Sequence, residues 1–362
     1  MSSLRHSSLV FLLLTLACAG GKDKEDEEGE DTSSEGTEPV TCLELDRLDG
    51  YIVPPAGISL GFRVRDCDGN AVRGLRSEDI VVINDEDGLP FDEGEGGAVA
   101  GLGVISDVEM YSVLTLDFSS SIFDAGAEED VVDGALAYID ATLVAPDYPL
   151  DHQIALIAFG GPTEIEVIAD FTDDPNELQR ALSQALSDGS RGTTDLYNAY
   201  MYGLSLVANE GSGGAEDAVV EKFVVVMTDG THEAGDSANL RSQALEAQAQ
   251  SEATIYAIGI EGDYDAAALQ ELASSPANFI PVDGSSDLGD AFEETSQLAL
   301  ALAQSNYVVG ICTPVALGNP TLTLHVTVDE ATASESISYP TDDLTGAIDD
   351  CDPEVVAAVM GG

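Results

Sequence analysis

Basic residues are scarce in this chain, which carries 12 Lys and Arg against 68 Asp and Glu and a formal net charge of −56 at pH 7. Such a charge repels phosphate backbones and anionic lipid headgroups. We therefore exclude nucleic acid as a partner, and we exclude electrostatic binding to a membrane surface. Because the acidic residues are spread along the whole chain, they favour a solvated surface over a field that gathers divalent cations.

The side chains and motifs of common catalytic sites are also scarce. The chain has no Trp, and its four His residues are scattered. Neither the His-Glu-x-x-His motif of zinc proteases nor a phosphate-binding loop occurs. His152 and His232, near strand and loop ends, are more typical of core or surface positions than of catalysts. We therefore predict that the protein is not an enzyme.

The first apolar run, residues 9–16, is too short to span a bilayer as a helix. Arg5 and His6 precede it, and small residues follow it. This order is typical of a secretory signal peptide, which we place at residues 1–17. The pattern predicts an exported protein.

The sequence of residues 14–18, Leu-Thr-Leu-Ala-Cys, resembles a bacterial lipoprotein cleavage motif in which Cys18 becomes the lipidated first residue. Thr15 departs from this motif, because Leu is usual at its position. We expect a surface-exposed outer-membrane lipoprotein that contacts the membrane through its lipid anchor only. The small residues Ala17 and Ala19 also permit ordinary cleavage, which would give a secreted or periplasmic protein.

An acidic segment follows this lipidation motif. Residues 22–38 contain no apolar side chain, so they have nothing to bury in a core. We predict that residues 18–40 are the lipid attachment and a disordered tether. Such a tether would hold the folded part of the protein away from the membrane.

The remaining cysteines fit an oxidising setting, because Cys42, Cys67, Cys312 and Cys351 make an even number. No Cys-x-x-Cys spacing occurs, so the pattern does not indicate a zinc or redox site. We expect the pairs Cys42–Cys67 and Cys312–Cys351, because each pair is confined to one flank of the chain. Cross-flank pairs would clamp the two flanks together and stay open as alternatives.

Oxygen-bearing side chains lie where predicted strands end or a predicted helix begins: Asp117, Ser119, Ser121, Thr194 and Asp229. In open α/β sheets, ligands bind at the carboxyl ends of the strands. Carboxylates and hydroxyls are hard donors, which suit Mg²⁺, Mn²⁺ or Ca²⁺ rather than zinc or copper. These residues therefore predict one divalent-metal site. By itself, Asp117-x-Ser-x-Ser is equally typical of a polar turn that caps a helix.

Together these residues resemble the metal-ion-dependent adhesion site of von Willebrand factor A domains in order and spacing, with all five ligand positions filled. The resemblance covers residues 107–304 and implies a doubly wound, Rossmann-like α/β fold. It also implies a bound Mg²⁺, with Mn²⁺ or Ca²⁺ as alternatives. In that family, an open metal position takes a Glu or Asp carboxylate from a partner protein. The resemblance therefore implies a cell-envelope binding or adhesion module, with a structural or scaffolding lipoprotein whose metal stabilises the fold as the alternative.

The hydrophobic pattern independently predicts the same fold class. Short apolar runs rich in Val and Ile indicate strands covered on both faces, at residues 111–116, 153–159, 223–228 and 254–260. Helical patterns lie between or after them, at residues 174–182, 240–253 and 288–303. Asp174 can cap the first helix, with Pro175 at its first position. Strands that alternate with helices predict a doubly wound, mostly parallel sheet.

The two flanks show short runs typical of antiparallel strands, at residues 57–65, 80–84, 306–311 and 321–328. Two or three such strands are marginal alone. We therefore predict one smaller β-sandwich that both flanks build, with the central domain inserted. The resulting domains are a signal peptide, a tether, a β-rich flank, the central domain, a second β-rich flank and a tail, at residues 1–17, 18–40, 41–106, 107–304, 305–352 and 353–362.

Overall fold

The computed structural model describes residues 39–84, 89–90, 100–105, 108–144, 150–211, 219–260, 264–312, 321–338, 344 and 351–361. The predicted signal peptide, Cys18 and nearly all of the acidic tether lie outside these described residues. None of the helices in the described ranges is long and apolar enough to cross a bilayer.

Fourteen strands are present in the described residues: β1 (Leu43–Val53), β2 (Gly57–Asp66), β3 (Ile80–Asn84), β4 (Leu89–Pro90), β5 (Ala100–Val104), β6 (Val108–Asp117), β7 (Asp151–Phe159), β8 (Glu166–Thr172), β9 (Val219–Thr228), β10 (Thr254–Ile260), β11 (Phe279–Val282), β12 (Asn306–Cys312), β13 (Thr321–Val328) and β14 (Ala331–Ser338). The same part of the chain forms eight α-helices: α1 (Ser120–Ala125), α2 (Glu128–Ile139), α3 (Pro175–Asp188), α4 (Leu196–Ala208), α5 (Ser237–Ala249), α6 (Ala266–Leu272), α7 (Leu288–Ala303) and α8 (Pro353–Gly361).

The central sheet has the order β11-β10-β9-β6-β7-β8. All neighbouring strands are parallel except β7 and β8, which are antiparallel. Helices α2, α3 and α7 contribute to the core on one face, and α4, α5 and α6 contribute to the core on the other. Strand β6 is buried almost throughout because both faces are covered. The predicted doubly wound α/β fold is confirmed.

The two flanks form the predicted β-sandwich. One sheet has the order β1-β2-β12-β5 and the other the order β14-β13-β3-β4, so each sheet takes strands from both flanks. Inward-facing apolar residues of the two sheets share one core, for example Phe62, Val82, Tyr307 and Leu324. The chain leaves the sandwich between β5 and β6 and returns to it between α7 and β12.

Two disulfides stabilise the sandwich, and they are the predicted pairs. Cys42 is bonded to Cys67 across 25 residues, and Cys312 is bonded to Cys351 across 39 residues. Each bridge closes a loop within one flank. In a chain-entropy model, loops of this length lower the unfolded state's entropy enough to contribute about 3–4 kcal/mol each.

The end of the chain differs from the prediction of a tail. Pro353–Gly361 forms helix α8, which begins two residues after Cys351. Val356 and Ala357 are buried against the sheet that contains β12 and β5. The composition of this segment is apolar, but its shortness gives little helical periodicity to recognise.

The predicted helices are present, but α3 continues past its predicted end at residue 182 to Asp188, and α5 ends at Ala249 rather than at residue 253. The side chain of Asp174 accepts a hydrogen bond from the backbone N of Asn176, so it caps α3 as predicted. Helix α5 begins earlier than its predicted residue 240, because Asp236 caps it by accepting a hydrogen bond from Asn239 N. Strand β10 and helix α7 have the predicted bounds.

Candidate metal site

Asp117 is the last residue of β6, and its side chain is fully buried. Its Oδ1 atom accepts a hydrogen bond of 2.8 Å from the backbone N of Ser119. Its Oδ2 atom accepts one from the hydroxyl of Thr228, the last residue of the neighbouring strand β9. Two strand ends and the following turn therefore fix the orientation of this carboxylate.

Burial raises the pKa of Asp117 to about 7, since desolvation penalises the charged form. The hydrogen bonds from Thr228 and Ser119 oppose this effect, and the nearby Asp229 adds to it. In the described part of the chain, no Lys or Arg forms an ion pair with Asp117. A cation beside this carboxylate would therefore offset the part of the desolvation cost that these hydrogen bonds leave uncompensated.

Ser119 and Ser121 extend the site outward from Asp117. Ser119 lies at the N-cap of α1, and its Oγ is 3.1 Å from the Oγ of Ser121. Ser121 Oγ donates a hydrogen bond of 2.8 Å to Oδ1 of Asp229, the residue that follows β9. A continuous chain of polar contacts thus joins four of the predicted ligand residues.

Thr194 approaches the same oxygens from a third segment. It is buried, and it precedes α4 by two residues, with Asp195 at the N-cap. A Cβ atom on Gly230 would lie 3.3 Å from the Thr194 hydroxyl and 3.9 Å from that of Ser121. The absence of a side chain at Gly230 therefore lets the turn after β9 approach both hydroxyls closely.

An open cleft of about 950 Å³ lies above these groups. Its wall includes Ser119, Ser121, Thr194 and Asp229, while Asp117 is buried behind Ser119. The structure thus brings the five predicted residues together at the carboxyl edge of the central sheet. Their donor set, two carboxylates and three neutral hydroxyls, fits a hard divalent cation.

One contact near the site was missed by the sequence analysis. Asp195 is fully buried, and the side-chain amide of Asn198 donates to both of its carboxylate oxygens at 2.9 Å. His232 Nδ1 lies 3.6 Å from Asp195 Oδ1, and its ring packs against Tyr197 with a centroid separation of 4.5 Å. The pair links the turn that carries Thr194 to the loop that follows Asp229. In the sequence, the pair is indicated only by the positions of Asp195 and His232, each of which lies close to a predicted metal ligand.

The sequence analysis also missed a Gly-x-Ser-x-Gly spacing at residues 57–61. In hydrolases that pattern forms a sharp strand-to-helix turn with an exposed Ser. Here it lies inside strand β2, and Ser59 is fully buried. Ser59 is therefore not placed to act as a nucleophile.

Comparison with known proteins gives the family. A model of the von Willebrand factor type A domain matches residues 113–294, which is half of the chain. The chain belongs to this family. A search of curated proteins finds no match.

Several solved structures resemble this von Willebrand factor type A protein. Proximal thread matrix protein 1 from the mussel byssus is 20% identical with a TM-score of 0.44, over 54% of this chain and 49% of that one. This chain thus spans about half the length of the mussel protein. A von Willebrand factor type A protein from Catenulispora acidiphila is 12% identical with a TM-score of 0.46, over 84% and 74% of the two chains. The corresponding domain of the pilus tip protein Mfa5 from Porphyromonas gingivalis is 12% identical with a TM-score of 0.43, over 53% and 95%. At these values the likeness carries no functional argument.

Proposed function

We propose that this protein is a binding module of the cell envelope that engages a protein partner through a divalent cation. The cation is Mg²⁺, with Mn²⁺ or Ca²⁺ as alternatives, and Asp117, Ser119, Ser121, Thr194 and Asp229 hold it. The observation that carries the proposal is the convergence of these five side chains at one open cleft. The membership of the chain in the von Willebrand factor type A family supports it.

Each side chain has a distinct part in this proposal. Asp117 and Asp229 supply the negative charge, and the hydrogen bonds from Thr228 and Ser119 keep Asp117 oriented. Ser119, Ser121 and Thr194 contribute neutral oxygens, which leave more of the cation's charge available to a ligand. A divalent cation bound there would supply a positive position for a carboxylate oxygen of the partner.

The proposal is for binding rather than catalysis. The cleft wall carries hydroxyls and carboxylates, and neither His152 nor His232 belongs to it. His232 is held against Asp195 and Tyr197 behind the wall. The arrangement can therefore hold a ligand, and the described cleft wall presents no imidazole for proton transfer.

Metal dependence tests the proposal directly. We expect Asp117→Asn to abolish Mg²⁺ and Mn²⁺ binding in calorimetry, because it removes one of only two carboxylates in the set. Wild-type protein should be stabilised in MgCl₂ relative to EDTA, by about 2.7 kcal/mol when the free ion is 100 times its Kd. The variant should lose this difference, and Asp133→Asn, on an exposed part of α2, should keep it. Unchanged metal affinity in Asp117→Asn would refute the site.

Partner capture separates binding from a structural role. Immobilised wild-type protein should retain an envelope protein in Mg²⁺ and release it in EDTA, and Asp117→Asn should retain none. If the metal binds and stabilises the fold but no partner depends on it, the metal is structural and the scaffolding alternative is favoured.

We also propose that the protein acts outside the cytoplasm, as a surface-exposed outer-membrane lipoprotein anchored through Cys18. The two disulfides support an exported protein. We expect Cys18→Ser to move the protein from the membrane fraction to the soluble fraction, because the acyl chains of a lipoprotein hold it firmly. If wild-type protein is already soluble, the secreted or periplasmic alternative replaces the anchor.

A further inference from the structure

Two more carboxylates stand in the wall of the candidate metal cleft. Asp124, on helix α1, and Glu233, in the loop after β9, both line the cleft and are both exposed. Neither side chain forms an ion pair with any described residue. We call these two residues the acidic rim, and they are separate from the five proposed metal ligands.

No basic side chain balances the acidic rim in the described wall of the cleft. Residues 107–304 contain only four Lys or Arg residues: Arg180, Arg191, Lys222 and Arg241. Arg191 adjoins the cleft residue Gly192 but is not part of the cleft wall: its side chain is 8% exposed and bonds Glu166 at 3.0 Å. Lys222 bonds the carbonyl of Ala208, and Arg241 bonds Glu271.

The acidic rim changes what kind of ligand the cleft favours. A partner carboxylate that approaches the metal position also approaches two like charges, and all of them lie within one cleft. At 0.1 M salt the screening length is about 10 Å, so these repulsions act over the dimensions of the cleft. A basic side chain beside the partner carboxylate would convert the repulsion into attraction.

We propose that the partner presents its metal-binding carboxylate next to Lys or Arg residues, which pair with Asp124 and Glu233. This inference rests on the proposed function, since it names the partner chemistry of the same site. The charge of −56 on the whole chain acts in the same direction, because it steers a basic surface towards the protein and repels an acidic one. The proposed partner segment is therefore basic overall, with one acidic residue that enters the cleft.

Three labelled nine-residue peptides test the proposal by fluorescence anisotropy in 5 mM MgCl₂ and 50 mM NaCl. The first has a central Glu with Lys and Arg flanks, the second a central Glu with Ser and Ala flanks, and the third a central Gln with the basic flanks. We expect the first peptide to bind wild-type protein at least about tenfold more tightly than the second. We expect the third to lose the Mg²⁺-dependent part of the affinity.

Variants assign the preference to the acidic rim. In Asp124→Asn/Glu233→Gln, the preference for basic flanks should fall to about twofold or less, and in wild-type protein 0.5 M NaCl should have a similar effect. The matched control, Glu129→Gln/Asp133→Asn, removes two exposed charges of helix α2 that are outside the cleft wall, and it should keep the preference.

The outcomes distinguish this inference from the proposed function. Equal affinity of wild-type protein for the two Glu peptides overturns the partner chemistry and leaves the metal site standing. The absence of Mg²⁺-dependent binding of either Glu peptide overturns both. A loss of bound Mg²⁺ stoichiometry in the double rim variant also overturns the inference, because the rim would then hold metal rather than a basic side chain.

Discussion

His152 is a titratable residue that burial makes inert. It is 2% exposed at the amino-terminal end of β7, where its Nε2 atom is 2.8 Å from Ser112 Oγ. The same Ser112 hydroxyl is 2.8 Å from the Tyr138 hydroxyl. The Nδ1 atom of His152 has no hydrogen-bond partner among the described residues. Burial lowers the pKa of His152 to about 3, because a charged imidazole cannot be solvated there.

This lowered pKa predicts acid sensitivity. In the unfolded chain the imidazole has its usual pKa of about 6.5. Below that pH the unfolded state therefore binds a proton that the folded state does not bind. The stability that depends on neutral His152 is therefore fully present above about pH 6.5, and it is lost as the pH falls towards 3. Between pH 7 and 4.5, wild-type protein should lose about 2–3 kcal/mol more stability than His152→Gln in urea titrations.

A second histidine serves as the control for this prediction. His325, on strand β13, is partly exposed and bonds Ser334 in the neighbouring strand. His325→Gln should follow the wild-type pH dependence. If His152→Gln follows it too, His152 is not buried in its neutral form. The titration of Asp117 is common to all three proteins and cancels in the comparison.

Helix α8 depends on glycines in the sheet beneath it. A Cβ atom on Gly310 of β12 would lie 2.0 Å from the Pro353 carbonyl oxygen and 2.4 Å from the Ala357 nitrogen. A Cβ on Gly57 of β2 would lie 2.5 Å from Val356. Because the contacts of Gly310 are with helix backbone, no rotamer change can relieve them.

We therefore expect Gly310→Ala to destabilise the protein by about 1–3 kcal/mol, since overpacking forces the backbone to move. Urea unfolding measures the loss, and limited proteolysis should show faster cleavage in residues 351–361. The control is Gly289→Ala in helix α7, where nothing lies within 4 Å of the added Cβ. That substitution should be neutral or stabilising by up to about 1 kcal/mol. Equal stability of the two variants would contradict the packing of α8 on β12.

At the scale of the whole molecule, one buried ion pair joins the β-sandwich to the central sheet. Glu221, at the start of β9, is 4% exposed and pairs with Arg63 of β2. Asn306 of β12 donates to Glu221 Oε1 at 2.8 Å and accepts from Arg63 Nε at 3.0 Å. Burial raises the pKa of Glu221, and the charge of Arg63 opposes this effect.

Removal of one member of this pair should lower the free energy of unfolding by much more than the intact pair contributes to it. We expect Glu221→Ala to lose about 3–5 kcal/mol, because Arg63 is left as a part-buried charge without its partner. Arg63→Met/Glu221→Ala should recover part of that loss in a double-mutant cycle measured by urea unfolding. Glu271→Ala, which removes a half-exposed pair with Arg241, should cost under about 1 kcal/mol. If the losses of unfolding free energy in the two single variants simply add in the double variant, the β-sandwich and the central sheet do not interact through this pair.

Much of the fold follows from local sequence patterns. The bounds of β10 and β13 agree with the apolar and alternating runs that predicted them. Edge strand β8 and the four-residue strand β11 had no prediction, because β8 has one fully buried residue and so shows no apolar run, and β11 is very short. Such strands depend on a neighbour for their hydrogen bonds, and a single run of sequence does not reveal that neighbour.

The sequence by itself determined which residues meet at the candidate site. Each ligand segment is a strand-to-turn or turn-to-helix unit with its own local signal, and parallel strands bring their carboxyl ends to one edge. Only the tertiary structure decided the electrostatics, because desolvation depends on what packs around a group. It buries Asp117, which raises the pKa of that carboxyl, and no Lys or Arg among the described residues forms an ion pair with it. It also places Asp124 and Glu233, 109 positions apart in the sequence, in the wall of one cleft, where their charges act on the same ligand.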